Sequence, residues 1–232
     1  LRVTFNTQLG ELRAVRGVDV DVTPGEILGV VGESGSGKSV SFLAAMGLLP
    51  KSATITGSVE LDGVELIGAG RKAIRSIRGK SLAMVFQDPL SALNPVHRVG
   101  DQIVEMIQSH QDMNTHDAEK KAVELLEIVG IPQPDERALQ YPHEFSGGMR
   151  QRVVIAMAIA NNPKVLIADE PTTALDVTVQ AQILEVIQRV QQTFGTAVVL
   201  ITHDLGVIAR VADSVNVMYA GRNVESGSVQ SI

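Results

Sequence analysis

Residues 32–39 read GESGSGKS: Gly32, Glu33, Ser34, Gly35, Ser36, Gly37, Lys38 and Ser39. The spacing is G-x-x-x-x-G-K-S, in which glycines let the backbone bend until its N–H groups point inward at an anion. Lys38 then reaches the β- and γ-phosphates of a nucleoside triphosphate, and the Ser39 hydroxyl can ligate Mg²⁺. The alternative is a Gly/Ser-rich turn that matches by chance. The flanks argue against it. An apolar, β-rich run (GEILGVVG, 25–32) precedes the glycines and a helical pattern (SVSFLAAMGLL, 39–49) follows them. The phosphate would therefore sit at a helix N-terminus. The loop identifies a nucleoside triphosphate without saying which one.

A phosphate cradle needs a second element to manage metal and water. VLIADE (165–170) is an apolar run ending in two acids. Asp169 would hold Mg²⁺ through its water shell, and Glu170 could accept a proton from an attacking water. Two surface acids at the exit of a strand are the plain alternative. His203 ends another apolar run, QTFGTAVVLITHD (192–204); alone, it reads equally as a core histidine or as one end of a site. Ser146, Gly147 and Gly148 open a helical stretch and could form a second anion cradle, though a bare SGG is ordinarily a turn.

The stretch FSGGMRQRVVIAMAIANNPKVLIADEPTTALD (145–176) resembles the ATP-binding cassette (ABC) ATPases, whose signature is LSGGQ. Here it reads Phe145, Ser146, Gly147, Gly148, Met149. The resemblance runs along nearly the whole chain and implies ATP and Mg²⁺ as ligands. It implies that Ser146–Gly148 cap the γ-phosphate held by an opposite subunit in a head-to-tail dimer. Gln87, in MVFQDP, resembles the Q-loop glutamine, which senses Mg²⁺ and water and links to the transporter. Asp176, in TALD, resembles the D-loop aspartate at the dimer seam. His203 resembles the switch histidine, set to contact the γ-phosphate and position water against Glu170. Phe5 is either a core strand residue or the aromatic that stacks on adenine.

FQDPLSALNPVHRVGDQIVE (86–105) and SGGMRQRVVIAMAIA (146–160) are similar to ATP-binding subunits of oligopeptide, dipeptide or nickel importers. Met149 departs from the usual signature glutamine, as it does in that group, and suggests a second, different cassette. The implied partners are membrane permease subunits, a second cassette (different, identical or fused) and, indirectly, an extracytoplasmic solute-binding protein. The implied place is the cytoplasmic face of the membrane, reached through the permeases. Two other classes of cassette are weighed. An ATPase working on DNA or ribosomes would carry coiled-coil arms or tandem cassettes, and no heptad run is present. Against a degenerate regulatory cassette, Glu170 and His203 both stand here and argue for competence at this chain's own loop; its signature could still serve a weaker partner site.

These residues need elements to hold them. Strands alternating with helices from 164 onward imply βαβ units and a parallel sheet. LRVTF and RGVDVDV (16–22) alternate like antiparallel strands, and GSVELDGVEL (57–66) like a hairpin piece. From 89 to 160 the pattern turns helical, with charges opposite an apolar face. Asp176 should cap a helix that Gly195 stops. The expectation is an α/β P-loop NTPase (RecA-like) core at 1–88 and 161–232, carrying an antiparallel β subdomain, with an α-helical subdomain inserted at 89–160. The ends look cut, as for an excerpt of a longer chain.

Composition bounds the partners. The 232 residues carry net charge −6, 3% aromatics, no tryptophan and no cysteine. That argues against a nucleic-acid face and excludes Cys-ligated metal in this span. No apolar run approaches the ~18 residues of a membrane span, and no signal-peptide pattern is present. His97, His110, His116 and His143 show no metal spacing. RKAIRSIRGK (71–80) reads as a solvated face, with a membrane-surface role as its alternative.

Overall fold

Val3 and Val15 are the buried partners of an antiparallel pair formed by β1 (Arg2–Thr7) and β2 (Gly10–Arg16). In the computed structural model, which describes residues 1–8 and 10–231, the chain packs as two units, Leu1–Arg78 with Val199–Ile232, and Gly79–Val198.

The first unit continues with β3 (Ile27–Val31), buried along its whole length. Next come α1 (Lys38–Ala45), β4 (Ala53–Thr56), the short hairpin β5 (Glu60–Leu61) and β6 (Val64–Glu65), and α2 (Arg71–Ile77). β4 joins β1 on the side opposite β2, making a three-stranded antiparallel sheet. α1 is shorter than its apolar pattern suggests. Gly47, at φ +60°, takes the left-handed conformation, its N–H bonds the Ala44 carbonyl, and Leu48 bonds back to Leu43. A glycine-based stop thus ends the helix before Pro50 is reached. The expected strand across RGVDVDV does not form. Val18 exchanges two backbone bonds with Leu1, but the Asp19 carbonyl is taken by the side-chain amides of Asn216 and Asn223. Side chains satisfy backbone groups that a ladder would otherwise have needed. The partner of β1 is instead residues 10–16.

The second unit begins with β7 (Leu82–Val85) and runs through α3 (Pro89–Ala92), α4 (Val99–Gln108), α5 (Thr115–Ile128) and α6 (Pro134–Ala138). A single 3₁₀ turn (Pro142–Glu144) leads into α7 (Gly147–Ile159), then β8 (Val165–Asp169) and α8 (Val177–Phe194). β7 and β8 pair in parallel, Val85 opposite Ala168. Ile103, Ile107, Leu125, Leu126, Ile155, Ile159, Ile183 and Ile187 of its helices are each under 2% exposed. α7 buries side chains around most of its circumference, the mark of a helix inside a core rather than on it.

β9 (Ala197–Thr202) crosses the boundary between the units at Val198. The chain then returns to the first unit through α9 (Leu205–Val211), β10 (Ser214–Tyr219) and β11 (Arg222–Ser228). Within that unit the strand order is β11-β10-β3-β9, β10 running parallel to β3 and antiparallel to β11. A side chain at Gly29 of β3 would come within 2.6 Å of Ile208, so the glycine lets α9 lie flat on the strand.

Candidate nucleotide-binding site

In the first unit, Gly32–Ser39 connects the end of β3 to the first residues of α1. Gly37 caps α1 at φ +97°, a left-handed conformation, and a Cβ there would lie 2.6 Å from the Ala14 carbonyl oxygen. Only glycine satisfies both conditions. At Gly32 a Cβ would fall 2.1 Å from the Met218 carbonyl oxygen, so the loop backbone passes where no side chain fits. Lys38 is buried, and its ammonium donates to the carbonyls of Gly32 (2.7 Å) and Glu33 (3.0 Å). It closes the loop on itself. The Ser36 hydroxyl is buried without a hydrogen-bond partner. A buried hydroxyl left unsatisfied costs free energy, and a phosphate oxygen would relieve it. Glu33, Ser34 and Gly35 form the exposed rim, and Ser39 is half-buried on the first turn of α1.

His203 follows the last residue of β9 and precedes Asp204, the N-cap of α9, whose carboxylate accepts from the Gly206 (2.8 Å) and Val207 (3.4 Å) amides. His203 is exposed. That removes the core-histidine reading: the side chain leaves the buried strand and faces outward. Phe5 is half-buried on β1, between Leu12 of β2 and Ala53 of β4.

In the second unit Asp169 ends β8 and is buried, while Glu170 is half-buried just past it. Glu170 sits at φ +46°, costly for a residue with a Cβ. Its carboxylate oxygen Oε2 accepts from Thr173 Oγ1 (2.9 Å) and, at 3.4 Å, from Gln87 Nε2. Gln87 is exposed, two residues past β7. Thus Gln87 and Glu170, 83 residues apart in sequence, are brought together, and Thr173 is a member of the cluster that spacing alone does not single out.

Ser146 caps α7, its hydroxyl accepting from the Met149 amide at 3.3 Å. Phe145 before it is buried with the Arg137 guanidinium over its ring, and its carbonyl accepts from Arg150. Gly147 is exposed. Gly148 is buried where a Cβ would meet Val179 of α8 at 2.4 Å. The signature glycine thus lets α7 approach α8. Asp176 caps α8 through the Thr178 and Val179 amides, both at 3.0 Å.

The Ser39 hydroxyl in the first unit and the Asp169 carboxylate in the second are each, taken singly, the kind of hard oxygen donor that Mg²⁺ accepts. Among the described residues no group of three or more His, Asp or Glu could hold a metal by side chains alone. The loop suits phosphate on two counts, the unpartnered Ser36 hydroxyl and the backbone closeness that Gly32 and Gly37 permit.

A family model for ABC transporters matches residues 15–173. The chain is 54% identical, over its full length, to the oligopeptide transport ATP-binding protein OppD of Bacillus subtilis, covering 65% of that protein. It is 56% identical to OppD of Mycobacterium tuberculosis, covering 38% of it, and 53% identical to the dipeptide transport ATP-binding protein DppD of Bacillus subtilis, covering 70%. Among solved structures it is similar to the dimeric post-hydrolysis state of the ATP-binding cassette MJ0796 bound to ADP and Pi. That similarity has a TM-score of 0.85 and 26% identity, over 98% of this chain and 96% of the other. The cbiO1 protein of Clostridium perfringens, part of the ABC transporter complex cbiONQ, matches with a TM-score of 0.83 and 27% identity, over 99% and 87%. By sequence and by fold, a P-loop NTPase core with an antiparallel β subdomain and an inserted helical one, the chain belongs to the ABC transporter family of ATP-binding cassettes.

Proposed function

We propose that the chain binds Mg²⁺–ATP at Gly32–Ser39 and hydrolyses it to power uptake of peptides or a related small solute through membrane permeases. The Glu170 cluster supports the catalytic part most directly. A carboxylate that carries backbone strain and is steadied by Thr173 and Gln87 has the character of a positioned base. In this reading Lys38 exchanges its two loop carbonyls for the β- and γ-phosphate oxygens, and the Ser36 hydroxyl donates to phosphate. Glu170 accepts a proton from the attacking water, and His203 and Gln87 hold that water in line. Mg²⁺, held by Ser39, Gln87 and the water shell of Asp169, would neutralise charge on the transferring phosphoryl group. Phe5 stacks on the adenine. Ser146, Gly147, Gly148 and Asp176 act on the nucleotide of a second cassette, whose own signature completes this chain's site. The names of the relatives, and the nucleotide-bound dimer among the similar structures, support these assignments.

Energy must then reach a membrane partner. No helix among the described residues is long and apolar enough to cross a bilayer. Coupling by contact is supported by an apolar groove of about 440 Å³ in the second unit, lined by Met84, Phe86, Met106, Val154, Met157 and Ala158 among others. Phe86 is 41% exposed there and directly precedes Gln87. A permease segment seated in this groove would sense the glutamine that touches Glu170, and would hold the chain at the cytoplasmic face of the membrane.

Direct titration of the chain with Mg²⁺–ATP tests the core of the reading. Saturable binding is expected, with Lys38→Ala weakening it severely; a parent chain that does not bind ATP overturns the function.

A further inference from the structure

The turn between β10 and β11 belongs to none of the nucleotide motifs, yet the phosphate loop leans on it. Tyr219 pairs with Arg222, so Ala220 and Gly221 form a two-residue hairpin loop. Both have positive φ, +45° and +78°, the combination that such tight turns require and that favours glycine. Gly221 spends its whole backbone polarity on other elements. Its N–H donates to the Ser36 carbonyl at 3.0 Å, and its carbonyl accepts from the Arg16 amide at 2.6 Å. It therefore links the end of β2 to the phosphate loop.

The packing leaves no slack. A Cβ on Gly221 would stand 2.7 Å from the Ala14 carbonyl oxygen, and a Cβ on Gly37 would stand 2.6 Å from the same oxygen and 3.6 Å from the Gly221 Cα. Three backbones meet there: β2 at Ala14–Arg16, the loop at Ser36–Gly37, and the turn at Gly221. On the other side of the loop, the Met218 carbonyl oxygen occupies the space beside Gly32. β10 and its turn thus buttress the loop near both ends. β2 in turn pairs with β1, where Leu12 stands opposite Phe5.

We propose that Gly221 is a positioning residue of the nucleotide site. It holds the phosphate loop in its binding conformation and in register with the β1–β2 pair that carries Phe5. The proposal rests on ATP binding at Gly32–Ser39. A loop already fixed in its bound shape loses little freedom on binding, so loosening the junction should appear as lost affinity. Because the junction touches backbone rather than reacting atoms, ATP and ADP should suffer alike and chemistry at saturation should not.

The test compares the parent with Gly221→Ala and Gly195→Ala. Gly195 ends α8 at φ +64° with nothing within 4 Å of its Cβ position, so it imposes the same backbone strain away from the loop. Titration should show Gly221→Ala weakening ATP and ADP together, by about tenfold. In the assembled complex the KM for ATP should rise with kcat retained. Gly195→Ala should match the parent in affinity. Parent-like affinity in Gly221→Ala overturns the proposal, as does an equal loss in Gly195→Ala or a fall confined to kcat. Should Gly221→Ala fail to fold, hydrogen exchange on the parent decides. Nucleotide should slow exchange of the Gly221 and Arg16 amides, and unchanged exchange in a parent that binds ATP overturns the inference. A parent that binds no ATP overturns the nucleotide reading instead, so the two failures are distinct.

Discussion

Glu170 shows how a single residue can be both costly and retained. A left-handed, non-glycine conformation costs about 1–2 kcal/mol, and Glu170 adopts it directly after the buried Asp169. The strain turns the carboxylate to where Thr173 and Gln87 donate to it. Glu170→Gln should keep ATP binding and lower turnover by about 10²–10⁴-fold, the worth of a positioned base; a steady-state ATPase assay of the assembled complex with near-parent turnover would remove Glu170 from the role. Thr173→Val keeps the shape and deletes one donor. One hydrogen bond is worth roughly 0.5–1.5 kcal/mol, so kcat should fall between about twofold and about tenfold with KM unchanged, and a change in KM alone would deny Thr173 that part. The acid pair stands out in sequence as an apolar run ending in Asp-Glu downstream of a glycine loop, and the structure puts Asp169 buried at the end of β8 with Glu170 just past it. Thr173 does not stand out, because PTTALD offers two adjacent threonines. Only the turn decides that Thr173 reaches the carboxylate while Thr172 is buried.

At the scale of elements, periodicity and capping chemistry carry most of the reading. Asp176 and Gly195 bound α8 as their types require, and the runs around Leu166 and Val198 are buried strands because nothing in them tolerates water. The early end of α1 comes from the local stop at Gly47, whereas the missing strand reflects competition between local pattern and tertiary hydrogen bonding. RGVDVDV alternates like a strand, but its Asp19 carbonyl goes to two asparagine side chains more than 190 residues away in sequence. The junction at Gly221 is invisible for the same reason, since its bonds are made by backbone that any sequence possesses. The β5–β6 hairpin is too short to stand by ladder bonds alone. Glu65 binds it instead: its carboxylate accepts from the Ser58 hydroxyl and from the Val59 (2.9 Å) and Ile67 (2.7 Å) amides. The Ser58 hydroxyl first, then those amides, hold the Glu65 pKa down at about 2. A depressed carboxylate pKa stabilises the hairpin fully above the ordinary value of 4.5 and loses that effect as pH falls through about 2. Amide exchange at Val59 and Ile67 should therefore speed up relative to intrinsic rates between those limits, and Glu65→Gln should abolish the dependence. An equally steep pH response in Glu65→Gln would mean that another group controls the hairpin.

At the scale of the whole molecule, the proposed function depends on pairing with a second cassette. Ser146 is exposed at the N-terminal tip of α7, a 13-residue helix, where its hydroxyl accepts from the Met149 amide. In the proposed head-to-tail pair, each nucleotide would meet a glycine loop from one copy and a serine–glycine helix tip from the other, and closing on ATP would bury both. Such a closure would be a two-state event whose equilibrium the γ-phosphate biases. Ser146→Asp separates this role from simple capping. Aspartate caps a helix as well as serine does, so α7 should keep its Met149 bond and the fold its stability. Its charge, however, would face the triphosphate of the opposite cassette, where like charges repel. The variant should bind ATP at its own loop as the parent does, while ATP-dependent association of a Glu170→Gln background, followed by sedimentation with the cassette that partners it, should be lost. Turnover of the assembled transporter should fall with it. A Ser146→Asp cassette that still pairs on ATP and hydrolyses at the parent rate would show that the helix tip meets no phosphate, and that the two cassettes do not share their sites.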